Sequence, residues 1–367
     1  MENREADLRE VWIAGPARPD RVALDAVHAE EYGFDGLTAG DNQCRNGDVF
    51  ITLALAAEAT SRLKLGTGVT IPLTRHPAVV ASAIGTIQQV SRGRAVLGIG
   101  RGDSALAYLG AGPTPMRTFE RFLAALKAYL GGDDVRFEEA RYWAQSGGDD
   151  LPDVAAIGLG HGPAASRIEW LPGRWGKVPV DVSATGPKAI TAGVRLADRV
   201  TLSVGADLGR VRWAIGTAHE AGASLGRSRE TISLGAFLAV GLHDDPQTAR
   251  GMIEGMVATT VRFTVLHGKP TGPFAPDAES VLAGIGPAYD MIHHAANQTA
   301  QTSVLTPEFI DAHAVVGGPE ACADRLHELF ELGLDRLYLT FGSNAEDPNV
   351  RRAKDRFASD VLPHLRS

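Results

Sequence analysis

Two cysteines in 367 residues, Cys44 and Cys322, are too few for a disulfide framework, and no CxxC or zinc-ribbon spacing offers a thiolate metal site. Basic excess is missing too: 36 Lys and Arg stand against 44 Asp and Glu, a formal charge of −8. A general binder of nucleic-acid backbone needs a basic face, so no nucleic-acid partner is expected. The longest apolar run, Ile232 to Leu242, is too short to cross a bilayer, and the opening MENREADLRE has no apolar core of a secretory signal. No membrane is therefore expected, and the cytoplasm is the default location. Aromatic residues are few, at 6%. What is plentiful is glycine, 42 residues, in a chain that is otherwise 44% apolar and 22% charged. That is an ordinary globular composition, and many glycines in an α/β chain mark tight loops where ligands approach backbone.

The length allows either two domains of usual size or one α/β barrel. Short apolar runs alternate with helical segments. Strands are predicted at 11–14, 36–39, 63–69, 95–99, 178–183, 200–204, 232–241 and 337–341, those of the first hundred residues being of the continuous buried type. Between them, helices are predicted from Asp20 to Tyr32, from Asp48 to Thr60, from Pro77 to Val90, at 117–130, from Pro187, at 208–221, from Pro246 and from Gly318 to Leu332, with one more in the tail from Ala345. The rhythm breaks twice. A polar, glycine-rich stretch fills 131–176 and contains Ser146-Gly147-Gly148-Asp149-Asp150, and a second irregular region fills 267–311 with a helical piece expected near 288–299. About eight strand–helix units without a linker favour a single (β/α)8 TIM barrel over 1–367, with 131–176 and 267–311 as insertions.

In such a barrel the residues just after each strand face the catalytic end. After the fourth strand stands Gly98-Ile99-Gly100-Arg101-Gly102-Asp103, which puts Asp103 where a dinucleotide fingerprint needs glycine. The segment therefore reads as an Arg and an Asp at a strand end, or as a glycine turn with a capping Asp. Gly66 and Gly68 in the third strand suggest a bulge that could press bare backbone against a flat ring, or a simple strand-to-loop transition. Ala184-Thr185-Gly186-Pro187-Lys188 opens a helix with free amides that suit an anion, and Val204-Gly205-Ala206 can approach the same point. The alternative for the first of these is plain helix initiation. Asp41, Asn42 and Gln43 follow the second strand, where Asp41 could equally be a cap. His267, His293 and His294 lie in the second irregular region. Adjacent histidines cannot share one helix face and no HExxH occurs, so no metal site is expected; at most one of these histidines suits acid–base work near neutral pH.

Taken in order, these segments resemble the luciferase-like superfamily, and within it the coenzyme F420-dependent, methylenetetrahydromethanopterin reductase-like branch. The residues that carry the resemblance are Tyr32-Gly33-Phe34-Asp35 with Asp41; Leu65 to Thr70 with Thr74-Arg75-His76-Pro77; Ser91-Arg92-Gly93-Arg94 running through to Asp103; Ala184 to Lys188; Gly205-Ala206; and Val316 to Glu320. The resemblance implies a barrel that binds a deazaflavin or flavin at its C-terminal face, with a non-proline cis peptide, here Gly68–Val69, behind the ring. It implies cofactor contacts from Asp41, Gly68, Val69, Arg101, Ala184, Thr185, Gly186, Val204, Gly205 and Ala206. It places Asp103 near the reacting ring, and leaves Asp41, Asp103 or His294 to move the proton. One departure stands out: Asn42 occupies a position where some deazaflavin relatives carry His, and an amide cannot act as a general acid. The expected activity is hydride transfer between coenzyme F420 and a small organic substrate by a homodimer. The alternatives are an FMN-dependent monooxygenase and a non-catalytic flavin- or deazaflavin-binding protein.

Overall fold

A computed structural model describes residues 9–140, 156, 158–266, 268, 270–342 and 344–366. The stretch from Ser146 to Asp150 and the side chain of His267 lie outside the described residues. Among the described residues nine strands form: β1 (Glu10–Pro16), β2 (Gly36–Gly40), β3 (Lys64–Thr67), β4 (Ala95–Ile99), β5 (Val180–Ala184), β6 (Arg199–Leu202), β7 (Ser233–Leu242), β8 (Val315–Gly317) and β9 (Arg336–Thr340). All pairings between them are parallel. The series β1 to β7 continues through β9, which returns to β1, so eight strands close into a barrel; β8 pairs only with the far end of β7. Closure removes both sheet edges from the eight-stranded barrel and leaves only the short β8 with an open edge among the described strands. This is the expected (β/α)8 TIM barrel.

Helices α1 (Val22–Tyr32), α2 (Val49–Ala59), α3 (Pro77–Val90), α4 (Ser104–Ala107), α5 (Met116–Gly131), α6 (Phe137–Ala140), α7 (Pro187–Leu196) and α8 (Leu208–Ser224) follow the first six strands. Their ends obey local chemistry. Asp48 caps α2 by accepting the amides of Phe50 and Ile51, a contact that contributes about 1 kcal/mol. Gly33 ends α1 in the left-handed region at φ 86°. Asp20, read as the cap of α1, does not cap it: Arg21 takes the N-cap position without a side-chain bond, and Asp20 receives the Arg18 guanidinium instead.

After β7 come α9 (Pro246–Val265), α10 (Glu279–Ala288) and α11 (Pro307–His313), then β8, α12 (Pro319–Glu331), β9 and α13 (Pro348–Arg356). Helix α9 packs on α10, α11 and β7, while α12 lies beside α8. The helix expected at 288–299 is not there. Helix α10 ends at Ala288, one residue after Pro287, and the following turns carry Ala295 and Gln298 at positive φ, which a helix does not permit. No helix among the described residues is long and apolar enough to cross a membrane.

The strands are not apolar throughout. Asp181, Thr201, Arg336 and Tyr338 project into the barrel, where the Asp181 carboxylate accepts hydroxyl hydrogen bonds from Thr201 (2.8 and 2.9 Å) and Tyr338 (2.9 Å) and lies 3.5 Å from the Arg336 guanidinium. Burial would disfavour the Arg336 charge, but Asp181 and Asp335 outweigh it and hold its pKa above the ordinary value. A cavity of ≈ 10 Å³ sits against this cluster, lined in part by Thr67, Val69, Gly98 and Tyr338.

Candidate active site

The loops after β2, β3 and β4 meet at one end of the barrel. The peptide between Gly68 and Val69, just beyond β3, is cis, as the resemblance implied. Glycine is required around it. A Cβ on Gly68 would stand 2.5 Å from the Thr38 hydroxyl, and one on Gly98 only 2.0 Å from the Thr67 carbonyl oxygen. Backbone therefore packs on backbone, locked by Thr70 N–H to the Gly98 carbonyl (2.9 Å) and Gly100 N–H to the Thr70 carbonyl (3.0 Å). The result is a wall with little side chain on it beyond Val69, whose methyl would touch a Cβ on Gly100 at 3.0 Å.

Asp41 is buried beside this wall, and its carboxylate is fully engaged. It accepts from Thr70 Oγ1 (2.6 Å), Arg75 Nη1 (2.6 Å) and Gln43 Nε2 (2.6 Å). Arg75 also reaches Asp48 (2.8 Å) and lies over the Phe50 ring. Burial opposes the Arg75 charge, but the two carboxylates outweigh it and raise its pKa. Asn42 donates to Ser104 Oγ at 3.4 Å, and its buried Oδ1 has no partner among the described residues.

Asp103 occupies the N-cap position of α4 without capping it. Its carboxylate pairs with Arg262 from α9, and both side chains are largely buried. The Arg262 guanidinium lies 4.7 Å from the centroid of the Tyr289 ring. The Tyr289 hydroxyl shares hydrogen bonds with Thr259 (2.9 Å) and His294 Nδ1 (2.7 Å). Burial, helped by Arg45 and Arg262, pushes His294 down to about 4. Its imidazole is then neutral at pH 7, and its Nδ1 shares a hydrogen bond with the Tyr289 hydroxyl. His293 points away and pairs with Asp290. Arg101 donates from Nε to the Thr114 carbonyl (2.7 Å), and burial lowers its pKa.

At the loops after β5 and β6, Gly186 is the N-cap of α7 with extended backbone, Pro187 follows, and no side chain caps the helix. Ala184 is buried and Thr185 borders it. An uncapped helix start of this kind suits an anion. Gly205 has φ 78°, and a Cβ there would stand 2.8 Å from the His313 carbonyl oxygen, which also accepts the Ala206 amide at 2.9 Å. The Ala206 N–H is therefore already satisfied within the chain. The Val204 carbonyl accepts from Arg210 Nε at 3.3 Å.

The structure brings Asp41, Gly68, Val69, Arg101 and Asp103 together on one side of the barrel mouth, and Ala184, Thr185, Gly186, Val204, Gly205 and Ala206 on the adjoining strands. Sequence reasoning missed Arg262, Tyr289 and Arg210. Arg262 lies 159 residues from Asp103 and Arg210 lies 61 and 63 from Thr271 and Pro273, and none of the three belongs to a motif.

Residues 8–336 match the family model described as luciferase-like monooxygenase. A 5,10-methylenetetrahydromethanopterin reductase from Methanolobus tindarius is 27% identical over 349 residues, covering 93% of this chain and 95% of the relative. An F420-dependent glucose-6-phosphate dehydrogenase from Nocardia farcinica is 26% identical over 365 residues, covering 95% of each. Among solved structures, the coenzyme F420 dependent tetrahydromethanopterin reductase from Methanopyrus kandleri superposes with a TM-score of 0.70 at 21% identity, covering 98% of this chain and all of that one.

Proposed function

Because the chain belongs to the luciferase-like monooxygenase family, we propose that it is an oxidoreductase that works with coenzyme F420 on a small organic substrate. A relative aligned over 95% of the chain carries an F420-dependent name, which supports the deazaflavin over FMN. The observation that carries the reading is the pairing of two features at one barrel end: a backbone wall at Gly68, Gly98 and Gly100, and an uncapped helix start at Gly186. A flat ring fits the first and a phosphate fits the second, so the residues present suit the cofactor.

In this reading Gly68, Val69 and Arg101 hold the ring system with Asp41 as its buried polar edge. Ala184, Thr185 and Gly186 hold the phosphate, with Val204, Gly205 and Ala206 shaping the neighbouring wall. Bound there, the deazaflavin supplies a ring carbon that accepts or delivers hydride. The chain's own part is orientation, exclusion of water and proton handling. Asp103 is proposed as the proton-handling carboxylate, kept in place by Arg262. His294 is proposed to act as a neutral partner of Tyr289 on the substrate side. The regions 131–176 and 267–311 are read as insertions on one barrel domain that shape the substrate pocket.

A homodimer in the cytoplasm is proposed as the working form. Helix α2 is apolar almost all round, yet Ile51 is 65% exposed on it, and Val79 is 55% exposed on neighbouring α3. A helix apolar on every side is one that is covered on every side.

The test is separate titration of the purified protein with coenzyme F420 and with FMN, followed by cofactor fluorescence. Saturable F420 binding is expected. Tight FMN binding without F420 binding overturns the deazaflavin reading in favour of a flavin monooxygenase. Binding without turnover across a substrate panel favours a non-catalytic binding protein.

A further inference from the structure

Arg210, on the first turn of α8, is only 1% exposed, yet no carboxylate among the described residues pairs with it. A buried guanidinium without a counter-charge is costly. Its donors go to three main-chain carbonyls: Val204 in the loop after β6 (3.3 Å), Thr271 (3.2 Å) and Pro273 (3.0 Å). Its Cζ lies 3.7 Å from the centroid of the Phe274 ring, and Nη2 has no partner among the described residues. Burial pulls its pKa down to about 10, against the weaker pull of Asp207.

Two of these carbonyls, those of Thr271 and Pro273, belong to a strap, residues 270–274, that runs from the second irregular region to the α7 start. A Cβ on Gly186 would lie 3.7 Å from Thr271 Oγ1, and one on Gly272 (φ 87°) 2.7 Å from the Trp213 ring on α8. Thr271 is exposed and its hydroxyl makes no hydrogen bond with the described residues. One cation thus ties together the loop after β6, the strap, and a free hydroxyl beside an uncapped helix. An anion seated at Gly186 would supply an acceptor for the Thr271 hydroxyl.

We propose that Thr271 is an additional phosphate-binding residue at the α7 start, and that Arg210 is the positioning residue that fixes Thr271 there and couples phosphate binding to closure of the strap. The inference rests on the reading that a phosphate-bearing cofactor binds this barrel. It adds a contact from outside the strand loops, on a segment the motifs do not reach.

The test compares ligands with and without phosphate: coenzyme F420 against its phosphate-free deazaflavin riboside, and FMN against riboflavin. Wild type, Thr271→Val and Arg210→Met are each titrated by fluorescence. For whichever pair binds, the preference for the phosphate-bearing member is expected to fall about tenfold in both variants, the size of one hydrogen bond to a charged group. Affinity for the phosphate-free member stays within about twofold, well under that single-bond effect. Hydrogen exchange at 270–274 is expected to slow on binding the phosphate-bearing ligand in wild type and not in Arg210→Met. An unchanged preference, or an equal loss for both members, overturns the proposal. Should Arg210→Met fail to fold, Thr271→Val and the wild-type exchange measurement carry the test. If neither pair binds, the cofactor reading has failed, and inorganic phosphate takes its place: protection of wild type against heat, absent in Thr271→Val, supports the site, and no protection of wild type overturns it.

Discussion

His293 and His294 are adjacent, and nothing in the sequence tells them apart. Their surroundings do. His294 is half-buried against Tyr289 and near two arginines, so its pKa falls from 6.5 to about 4, while His293 stays exposed beside Asp290. A histidine whose folded pKa is depressed binds fewer protons than the unfolded chain between those two values. Its contribution to stability is therefore complete above pH 6.5 and is lost as pH falls toward 4, on the order of 3 kcal/mol in all. Urea unfolding at pH 7 and pH 5 is expected to show His294→Gln losing less stability on acidification than wild type; equal losses would mean that His294 is not buried neutral. Asp103 offers the second prediction at this scale. Replacing it with Asn is expected to lower turnover by about a hundredfold or more, the range of a lost acid–base group. The cofactor dissociation constant should move far less, within about threefold. Turnover equal to wild type would remove Asp103 from the mechanism.

Among the elements, the sequence was most legible where period and cap agree. Strand β4 and helix α3 fall on the residues that the apolar runs and Pro77 indicate. Some of the recognisable segments turn out to stabilise the end of the barrel away from the site. The Asp35 carboxylate accepts the Val11 amide at 2.8 Å, and Arg94 reaches the carbonyls of Ala57, Thr60 and Leu63, closing the C-terminal end of α2. Their presence in the motif therefore says more about the fold than about the chemistry. Where the sequence misled, the cause is short range or missing periodicity. Strand β8 has three residues, too few to show alternation, and it exists because β7 extends past the barrel to offer it a partner. The turns at 289–304 carry no period, and their hydrogen bonds, such as Gln301 Nε2 to the His293 carbonyl, are specific to side chains brought together by folding.

For the whole molecule, the order of strand ends around the barrel converts scattered glycines into two features of one barrel end, a wall at Gly68 and an uncapped helix start at Gly186, where the anion is proposed to sit. The same closure leaves α2 and α3 with an uncovered apolar face, from which the homodimer is proposed. Ile51→Asp combined with Val79→Asp is expected to halve the mass measured by light scattering during gel filtration, with the far-ultraviolet circular dichroism unchanged. A wild-type protein that elutes as a monomer would refute the dimer.

Apolar period, helix caps and glycine placement are local properties. They determined by themselves that this chain makes repeated βα units, where most of those units begin and end, and which loops carry the chemistry-bearing residues. Tertiary structure alone decided which charges meet. Asp103 with Arg262, Asp181 with Arg336, and Arg210 with the strap join residues separated by tens to hundreds of positions. Sequence encodes such pairs only through the closure of the barrel, because burial and charge proximity exist only once distant segments share one low-dielectric interior.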